Sequence, residues 1–358
     1  MTGAPPKSRQ AFPRERRRRL RLVLAVGLTA CSAPGPGTPP SLDRPITLER
    51  VRTIVRQDAT DATTWLHRPT KLRYDAVSGH LFGLEWADDR IVEFTADGEF
   101  VGYFGRGGEG PGEIGNLWDF AVGTGHVVVL DTGNGKLVFF DRDTRAMRRE
   151  IRFDRRLRGM APISDTLLVV MPGPDGTLLE LLHIDGRSRG SFGDASYLET
   201  GNVGLSLSHV GGGLLLVRKP AIPEGRLYRL DGSLHAEVTF AELEHVRAEW
   251  QREFTETMER SRLVDAGGRR ISGGKLWVGE PRPLEGGAFL LTATPENLDT
   301  NPWELWVLDH DGRVRGRYAF AETWVRGYAV SRSAVYALGL GDEYGVYEYG
   351  PPRPPDTP

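Results

Sequence analysis

The chain has 358 residues, of which 39% are hydrophobic and 26% are charged, so it has a globular composition and is not disordered throughout. Its 45 Gly and 24 Pro residues show no collagen period and indicate a fold rich in turns. Because the N-terminus is strongly basic, residues 31–358 hold 38 basic and 47 acidic residues, a net charge of −9. An acidic body of this kind argues against a nucleic-acid partner.

The N-terminal residues have the features of an export signal. Four arginines, Arg16–Arg19, precede the apolar segment Leu22–Leu28, which is far shorter than the ~20 residues that span a bilayer. The next residues, Leu28-Thr29-Ala30-Cys31, resemble the lipobox of bacterial lipoproteins. That resemblance implies cleavage before Cys31 and acylation of Cys31, which gives the protein a membrane-lipid partner. Ordinary secretion with an incidental cysteine is the alternative.

These features predict four segments along the chain. We expect a signal peptide over 1–30, a lipid-anchored tether rich in Pro and Gly over 31–45, a folded body over 46–350 and a polar tail over 351–358. The predicted location is the cell envelope, on the outer membrane if the cell has two membranes. Cys31 is the only cysteine, which excludes a disulfide framework and a cysteine-based zinc site.

The folded body consists of repeated units of similar length. Six apolar runs begin 46, 40, 47, 75 and 46 residues apart, at Leu81, Val127, Leu167, Leu214, Phe289 and Val335. A second strand-like run, a turn that usually contains Asp-Gly, and a further strand follow most of them. Four short strands per unit of 40–47 residues are typical of propeller blades. The sequence therefore predicts an all-β protein, a six-bladed β-propeller with four-stranded blades.

Two segments complete this architecture. The sixth unit stops after three strands, and we expect Ile46–Val55 to supply its outer strand and so close the ring. The interval of 75 residues between the fourth and fifth apolar runs contains Ala241–Arg260. Five of its apolar residues are spaced like one face of a helix: Leu243, Val246, Trp250, Phe254 and Met258. We therefore expect one helical insertion over 241–265, which either packs on the blades or forms a partner surface.

Blades one and two carry a family resemblance. The residues Trp118–Val122, His126–Asp131 and Lys136–Asp141 resemble an NHL-type repeat, and the loop Gly105–Glu113 is similar to one in bacterial six-bladed β-propeller lipoproteins. The resemblance covers residues 70–155. It implies the fold and an envelope location, but no activity, because many members of that family have none assigned.

Topology predicts which loops lie together. In a four-stranded meander, the loops between the second and third strands share one face with the connections between blades. We expect this rim to bind a protein or a glycan, with candidate contact residues Trp86, Arg106, Glu109, Trp118, Asp119, Arg218 and Trp250.

The competing prediction is a metal-dependent propeller hydrolase or lyase with its site at the central channel. The innermost strands offer Asp119, His209 and Glu280 as weak metal candidates, together with arginines that could neutralise the carboxylates in pairs. Neither Gly105–Glu113 nor Gly273–Leu276 has the cation and helix of a phosphate loop. We therefore predict a binding or scaffolding protein with no cofactor, and no catalysis is expected.

Overall fold

The computed structural model describes residues 45–57, 65–67, 69–198, 206–210, 213–218, 224–239, 282–284, 287–292, 304–309, 314–320, 324–340 and 344–350. All of them belong to one compact unit, residues 39–357. The predicted signal peptide, Cys31, the tether, the helical insertion and the tail lie outside the described residues. So do two candidate residues, Trp250 and Glu280.

The described residues form six β-sheets, each corresponding to one predicted blade. Two strands come first in the chain, the short β1 (Ile46–Leu48) and the longer β2 (Arg50–Gln57). Blade one has strands β3 (Lys71–Tyr74), β4 (His80–Glu85), β5 (Arg90–Thr95) and β6 (Phe100–Phe104). Blade two has strands β7 (Leu117–Val122), β8 (His126–Asp131), β9 (Lys136–Asp141) and β10 (Met147–Arg152). Blade three has strands β11 (Gly159–Ser164), β12 (Leu167–Met171), β13 (Thr177–His183) and β14 (Ser188–Asp194).

The other three blades follow the same order. Blade four has strands β15 (Ser206–His209), β16 (Leu214–Arg218), β17 (Glu224–Arg229) and β18 (Leu234–Thr239). Blade five has strands β19 (Arg282–Leu284), β20 (Gly287–Thr292), β21 (Glu304–Asp309) and β22 (Val314–Phe320). Blade six has strands β23 (Trp324–Val330), β24 (Val335–Leu340) and β25 (Tyr344–Tyr349). Within the described part of the chain, no helix is long and apolar enough to cross a membrane.

The hydrophobic core lies between neighbouring blades. Strand β8 is buried along its whole length, whereas the outer strand β10 of the same blade is mostly exposed or half-buried. Side chains on both faces of the middle strands therefore contact an adjacent sheet, which explains why these strands read as continuous apolar runs. One core cluster joins Phe82 and Phe104 of blade one to Phe120 and Phe140 of blade two.

The N-terminal strands close the ring. Strand β2 pairs antiparallel with β25, with Arg50 opposite Tyr349, so the predicted outer strand of blade six is confirmed. The predicted single strand Ile46–Val55 is wrong in its first part, because β1 pairs parallel with β22 and adds a fifth strand to blade five. Leu48 of β1 is 4% exposed and lies in the core cluster between blades five and six. Burial of the Leu48 side chain stabilises the pairing of β1 with blade five, so β1 does not continue the pairing of β2 with blade six.

Candidate functional site

Loops at one end of the first two blades form a continuous surface that we call the loop rim, residues 86–89, 105–118 and 132–135. Leu117 N donates a hydrogen bond of 2.8 Å to Asp89 Oδ1, which joins the connection between the blades to the turn after β4. Asn134 Nδ2 donates a hydrogen bond of 3.1 Å to Gly108 O, which joins the same connection to the loop after β8. These two kinds of loop therefore lie together in blades one and two, as the meander topology predicts.

Two tryptophans project from the loop rim. The side chain of Trp86 is 58% exposed and that of Trp118 is 45% exposed. Trp86 Nε1 donates to Asn116 Oδ1 at 3.1 Å, and Trp118 Nε1 donates to Arg158 O at 3.0 Å. Because an indole has a single donor, each ring is held by its polar edge and exposes an apolar surface. Asn116, which anchors Trp86, precedes Trp118 by two residues in the chain.

A partly buried network of charges supports the turn that carries Trp86. Glu85 is completely buried, and its Oε2 lies 2.6 Å from Arg90 Nε. Asp88 Oδ2 lies 3.2 Å from Arg90 Nη2 and 2.7 Å from His67 Nδ1. Burial raises the pKa of the Glu85 carboxyl above its ordinary value, and the hydrogen bonds from His67 and Arg90 oppose that rise. Glu85 and Arg90 flank the turn in the chain. Their contacts therefore attach both ends of the turn to blade one and fix the conformation of the turn.

The same network has the spacing of a metal site. Among the described residues, His67, Glu85 and Asp88 form one group whose ligand atoms all lie within 4.8 Å of one another. Arg90 already supplies the positive charge between these groups, and its guanidinium stacks on the Tyr103 ring at 3.8 Å. We therefore interpret the group as a structural ion-pair network. The sequence does not reveal this network, because His67 is 18 or more residues from its partners and only a Glu within an apolar run marks the position.

Of four further rim candidates, two have described side chains and two do not. Arg106 is exposed and pairs with Glu113 at 2.8 Å, while Glu109 is exposed in the same loop. Arg218 ends strand β16, and its side chain lies outside the described part of the structure, as does Trp250.

Asp119 lies in the interior, which corrects its assignment to the rim surface. It is 3% exposed, and its Oδ1 lies 2.8 Å from Arg73 Nη2 and 3.2 Å from Lys71 Nζ. The Arg73 guanidinium also stacks on the ring of Phe120, 5.0 Å from its centroid. A carboxylate held by two cations serves charge neutralisation at the inner strands, as the pairing alternative for the channel predicts.

A cavity of about 270 Å³ lies at the centre of the described blades. It is lined by residues from the inner strands β3, β7, β11, β15 and β23, mostly from the second halves of those strands. Inner strands begin at the connections between blades, so the cavity lies away from the loop rim. His209 lines it, whereas Asp119 is not among the lining residues and Glu280 lies outside the described chain. The described structure therefore does not bring the three channel candidates together.

Comparison with known proteins agrees with this architecture. Residues 65–170 match a protein-family model described as a 6-bladed beta-propeller. No curated protein matches the sequence. The structure is similar to that of a Bacteroides fragilis protein described as exported, with 11% identity, a TM-score of 0.52, and coverage of 84% of this chain and 94% of that chain.

Two further solved structures are similar at equally low identity. Virginiamycin B lyase from Staphylococcus aureus, solved with quinupristin, has 10% identity and a TM-score of 0.50, with 80% of this chain and 83% of that chain covered. The WD40 repeats of RRP9 have 9% identity and a TM-score of 0.52, with 86% and 99% covered. Such likenesses show the propeller fold alone.

Proposed function

We propose that this six-bladed β-propeller is a membrane-anchored binding module of the cell envelope and that it binds a protein partner on the loop rim. The observation that carries the proposal is the pair of exposed indoles, Trp86 and Trp118, each fixed by a hydrogen bond from its Nε1. A ring that is already immobilised loses little conformational entropy when a partner covers it.

The chemistry around the two indoles favours a protein over a glycan. Arg158, whose carbonyl anchors Trp118, is exposed, as is Arg106 elsewhere on the loop rim. Trp and Arg are the residue types most enriched at the energetic centres of protein interfaces. Both indole N–H groups are bonded within the propeller, so the rings offer apolar contact area and no hydrogen-bond donor. A sugar ring can stack on an indole face, but its hydroxyl groups also need polar partners, which these two rings do not supply.

Crosslinking from a defined point on the rim tests the site. Ala87 is exposed next to Trp86, and Val77 is 74% exposed in the loop after β3, at the other end of the blade. A cysteine is placed at either position in a chain carrying Cys31→Ser and is labelled with a photoreactive benzophenone. The labelled protein is then mixed with the envelope fraction of the source cell. We expect one protein adduct from position 87 that is absent from position 77 and is lost in Trp118→Ala. Equal labelling from both positions contradicts the proposal, and capture by isolated cell-wall glycan instead assigns the rim to a carbohydrate.

The anchor is tested separately. Acylation of Cys31 and the fourteen tether residues that follow it, about 43 Å long as an extended polyproline helix, would hold the body near the membrane surface. The Cys31→Ser variant should move from the membrane pellet to the soluble fraction after cell lysis. Retention of the variant in the pellet would contradict the lipid anchor while leaving the rim site untouched.

A further inference from the structure

The connection between blades two and three concentrates positive charge on a molecule whose body is acidic. Residues 152–158, which we call the basic connection, hold four arginines and one acidic residue: Arg152, Arg155, Arg156, Arg158 and Asp154. Residues 31–358 as a whole carry a net charge of −9. A local reversal of charge of this kind marks a surface suited to an anionic partner.

The basic connection is continuous with the loop rim. Phe153 N donates a hydrogen bond of 3.0 Å to the carbonyl oxygen of Gly135, which is the last residue of the rim loop after β8. At its other end, the carbonyl oxygen of Arg158 accepts the 3.0 Å hydrogen bond from Trp118 Nε1. The backbone of the connection is therefore fixed beside the Trp118 indole before any partner binds.

Two of the four arginines are paired within the propeller. Arg155 pairs with Glu180 of strand β13, which is 6% exposed, and its Nε donates to Pro172 O at 2.9 Å. Arg152 lies 3.3 Å from a carboxylate oxygen of Glu150 in its own strand. Both guanidinium groups therefore have a counter-charge that the blades supply.

The other two arginines have no counter-charge. Arg156 and Arg158 are exposed on either side of Leu157, which is 1% exposed and belongs to the core cluster between blades two and three. Among the residues that the structure describes, neither guanidinium forms an ion pair. The nearby Asp154 is 97% exposed and lies 3.9 Å from Arg155 instead. The core thus holds the connection at Leu157 while two unpaired positive charges face solvent.

These charges restrict what can cover the rim. A partner that covers the Trp118 indole also covers the segment that carries Arg158, because the Arg158 carbonyl anchors that indole. Taking a guanidinium out of water is costly unless a charge of opposite sign replaces the lost hydration. Arginine pairs with a carboxylate through two parallel hydrogen bonds, which fix orientation as well as charge. Because the proposed partner is a protein, the groups that can supply this charge are Asp and Glu carboxylates.

Anionic lipid is the other source of negative charge near an anchored protein. Recognition of such lipid uses clusters of about four to eight Lys or Arg, whereas the basic connection has two arginines without a counter-charge. The first strands of the described chain, β1 and β2, pair with blades five and six. The chain therefore enters the ring on the side opposite the connection between blades two and three. Both observations favour an acidic protein over the membrane surface.

We propose that the partner of the loop rim is an acidic protein segment, in which carboxylates pair with Arg156 and Arg158 while an apolar residue between them covers Trp118. This inference rests on the proposed function and adds the chemistry of the partner. It also sets the orientation of the partner, because its carboxylates must face the connection that leads into blade three.

Three peptides that differ only in charge test the inference on the full chain carrying Cys31→Ser. The first is Glu-Leu-Glu-Gly-Glu-Leu-Glu with blocked ends, and Gln or Lys replaces every Glu in the other two. Binding is followed by the ¹H–¹⁵N resonance of Trp118 Nε1, which is identified by its loss in Trp118→Phe. We expect the Glu peptide to shift this resonance with millimolar affinity, the Gln peptide to bind about fivefold more weakly, and the Lys peptide not to shift it. Nonspecific attraction to the acidic body would favour the Lys peptide instead.

Substitutions with a matched control locate the charge. Arg156→Gln/Arg158→Gln should reduce the affinity of the Glu peptide to that of the Gln peptide. Arg187→Gln/Arg189→Gln changes two exposed arginines with the same spacing, in and beside the turn between β13 and β14, and should leave that affinity unchanged. Arg156→Glu/Arg158→Glu should bind the Lys peptide instead, a gain that a folding defect cannot produce. The basic N-terminus is the same in all these chains, so it does not contribute to the differences.

Three results would overturn the inference. Equal shifts by all three peptides would leave a protein site on the loop rim but remove its preference for acidic segments. Failure of the Glu peptide to shift the resonance, or an equal shift in Arg156→Gln/Arg158→Gln, would show that these arginines do not recognise carboxylates, while crosslinking from position 87 decides separately on the proposed function. A shift that phosphatidylglycerol vesicles produce and the Glu peptide does not, and that is lost in the same variant, would assign the basic connection to the membrane.

Discussion

Lys136 is a completely buried cation that ties the glycine-rich inter-blade loop to blade two. Its Nζ lies 2.5 Å from Glu150 Oε1 and donates to Gly110 O at 3.3 Å, while Gly112 N donates to the same Glu150 oxygen at 2.8 Å. We expect Lys136→Met to lower the free energy of unfolding by about 3 kcal/mol, because Glu150 then loses its buried partner. Denaturation in urea measures the loss.

Arg152 provides a matched control for that substitution. It pairs with the other oxygen of Glu150 at 3.3 Å, but its side chain is 62% exposed. Solvent screens such a pair, so Arg152→Met should cost less than about 1 kcal/mol. If both variants lose the same stability, burial of Lys136 is not what makes its ion pair important.

Asp141 makes the protein less stable at low pH. Its carboxylate accepts hydrogen bonds from Thr144 N at 2.8 Å and Thr144 Oγ1 at 3.0 Å and pairs with Arg148, and these contacts lower its pKa to about 2. A carboxyl whose pKa is depressed on folding stabilises the protein above its unfolded pKa, roughly 3.9, and that stabilisation is lost as the pH falls towards 2.

Asp141→Asn tests this dependence, since it keeps an oxygen acceptor for Thr144 and removes the titrating group. Urea midpoints measured at pH 4, 3 and 2 should fall more steeply in the wild-type chain than in the variant. Parallel curves would show that Asp141 does not contribute to acid sensitivity.

Individual strands were largely predictable because their signals are local. Strands β6 (Phe100–Phe104) and β22 (Val314–Phe320) follow turns of the repeat, where the sequence predicts a further strand. The turn before β6 carries Gly98 with a φ of +91°, a conformation that glycine adopts without strain. Apolar runs mark strands, and the turn residues mark where they end.

Contacts between distant segments were not predictable. The pairing of β1 with blade five depends on Leu48 fitting a core made by residues more than 250 positions away. The burial of Asp119 depends on Arg73 in the neighbouring blade, 46 residues earlier. A single sequence shows which residues alternate along a strand, but not which charges meet across two blades. For that reason the sequence places Trp86 and Trp118, which are exposed, on the rim but does not reveal that Asp119 is buried.

Gly98 also marks the seam at which the N-terminal strand closes the ring. A Cβ atom at Gly98 would lie 2.4 Å from the carbonyl oxygen of Ile54 in β2, whereas one at Gly176, which has a similar φ of +78°, would meet nothing within 4 Å. We expect Gly176→Ala to cost roughly 1 kcal/mol from backbone strain and Gly98→Ala at least twice that. Thermal unfolding of both variants measures the difference, and equal losses would show that the seam tolerates a side chain.

The whole molecule separates two kinds of surface at opposite ends of the inner strands. The loop rim is exposed and carries fixed aromatic rings, whereas the cavity is partly open and lined by both apolar and polar residues, among them Arg73, Asp75 and His209. This separation follows from the meander, because each inner strand starts at a connection between blades and ends at the loop to its second strand.

The central claim is that Trp86 and Trp118 bind a protein partner. The most direct measurement is the amount of that partner recovered when the full-length protein is purified from envelope membranes solubilised in mild detergent. We expect one protein to be recovered in stoichiometric amounts with the wild-type chain and with the control Val77→Ser, and at least tenfold less with Trp86→Ala/Trp118→Ala. Equal recovery with the double variant, in a chain that unfolds at the wild-type temperature, would contradict the account.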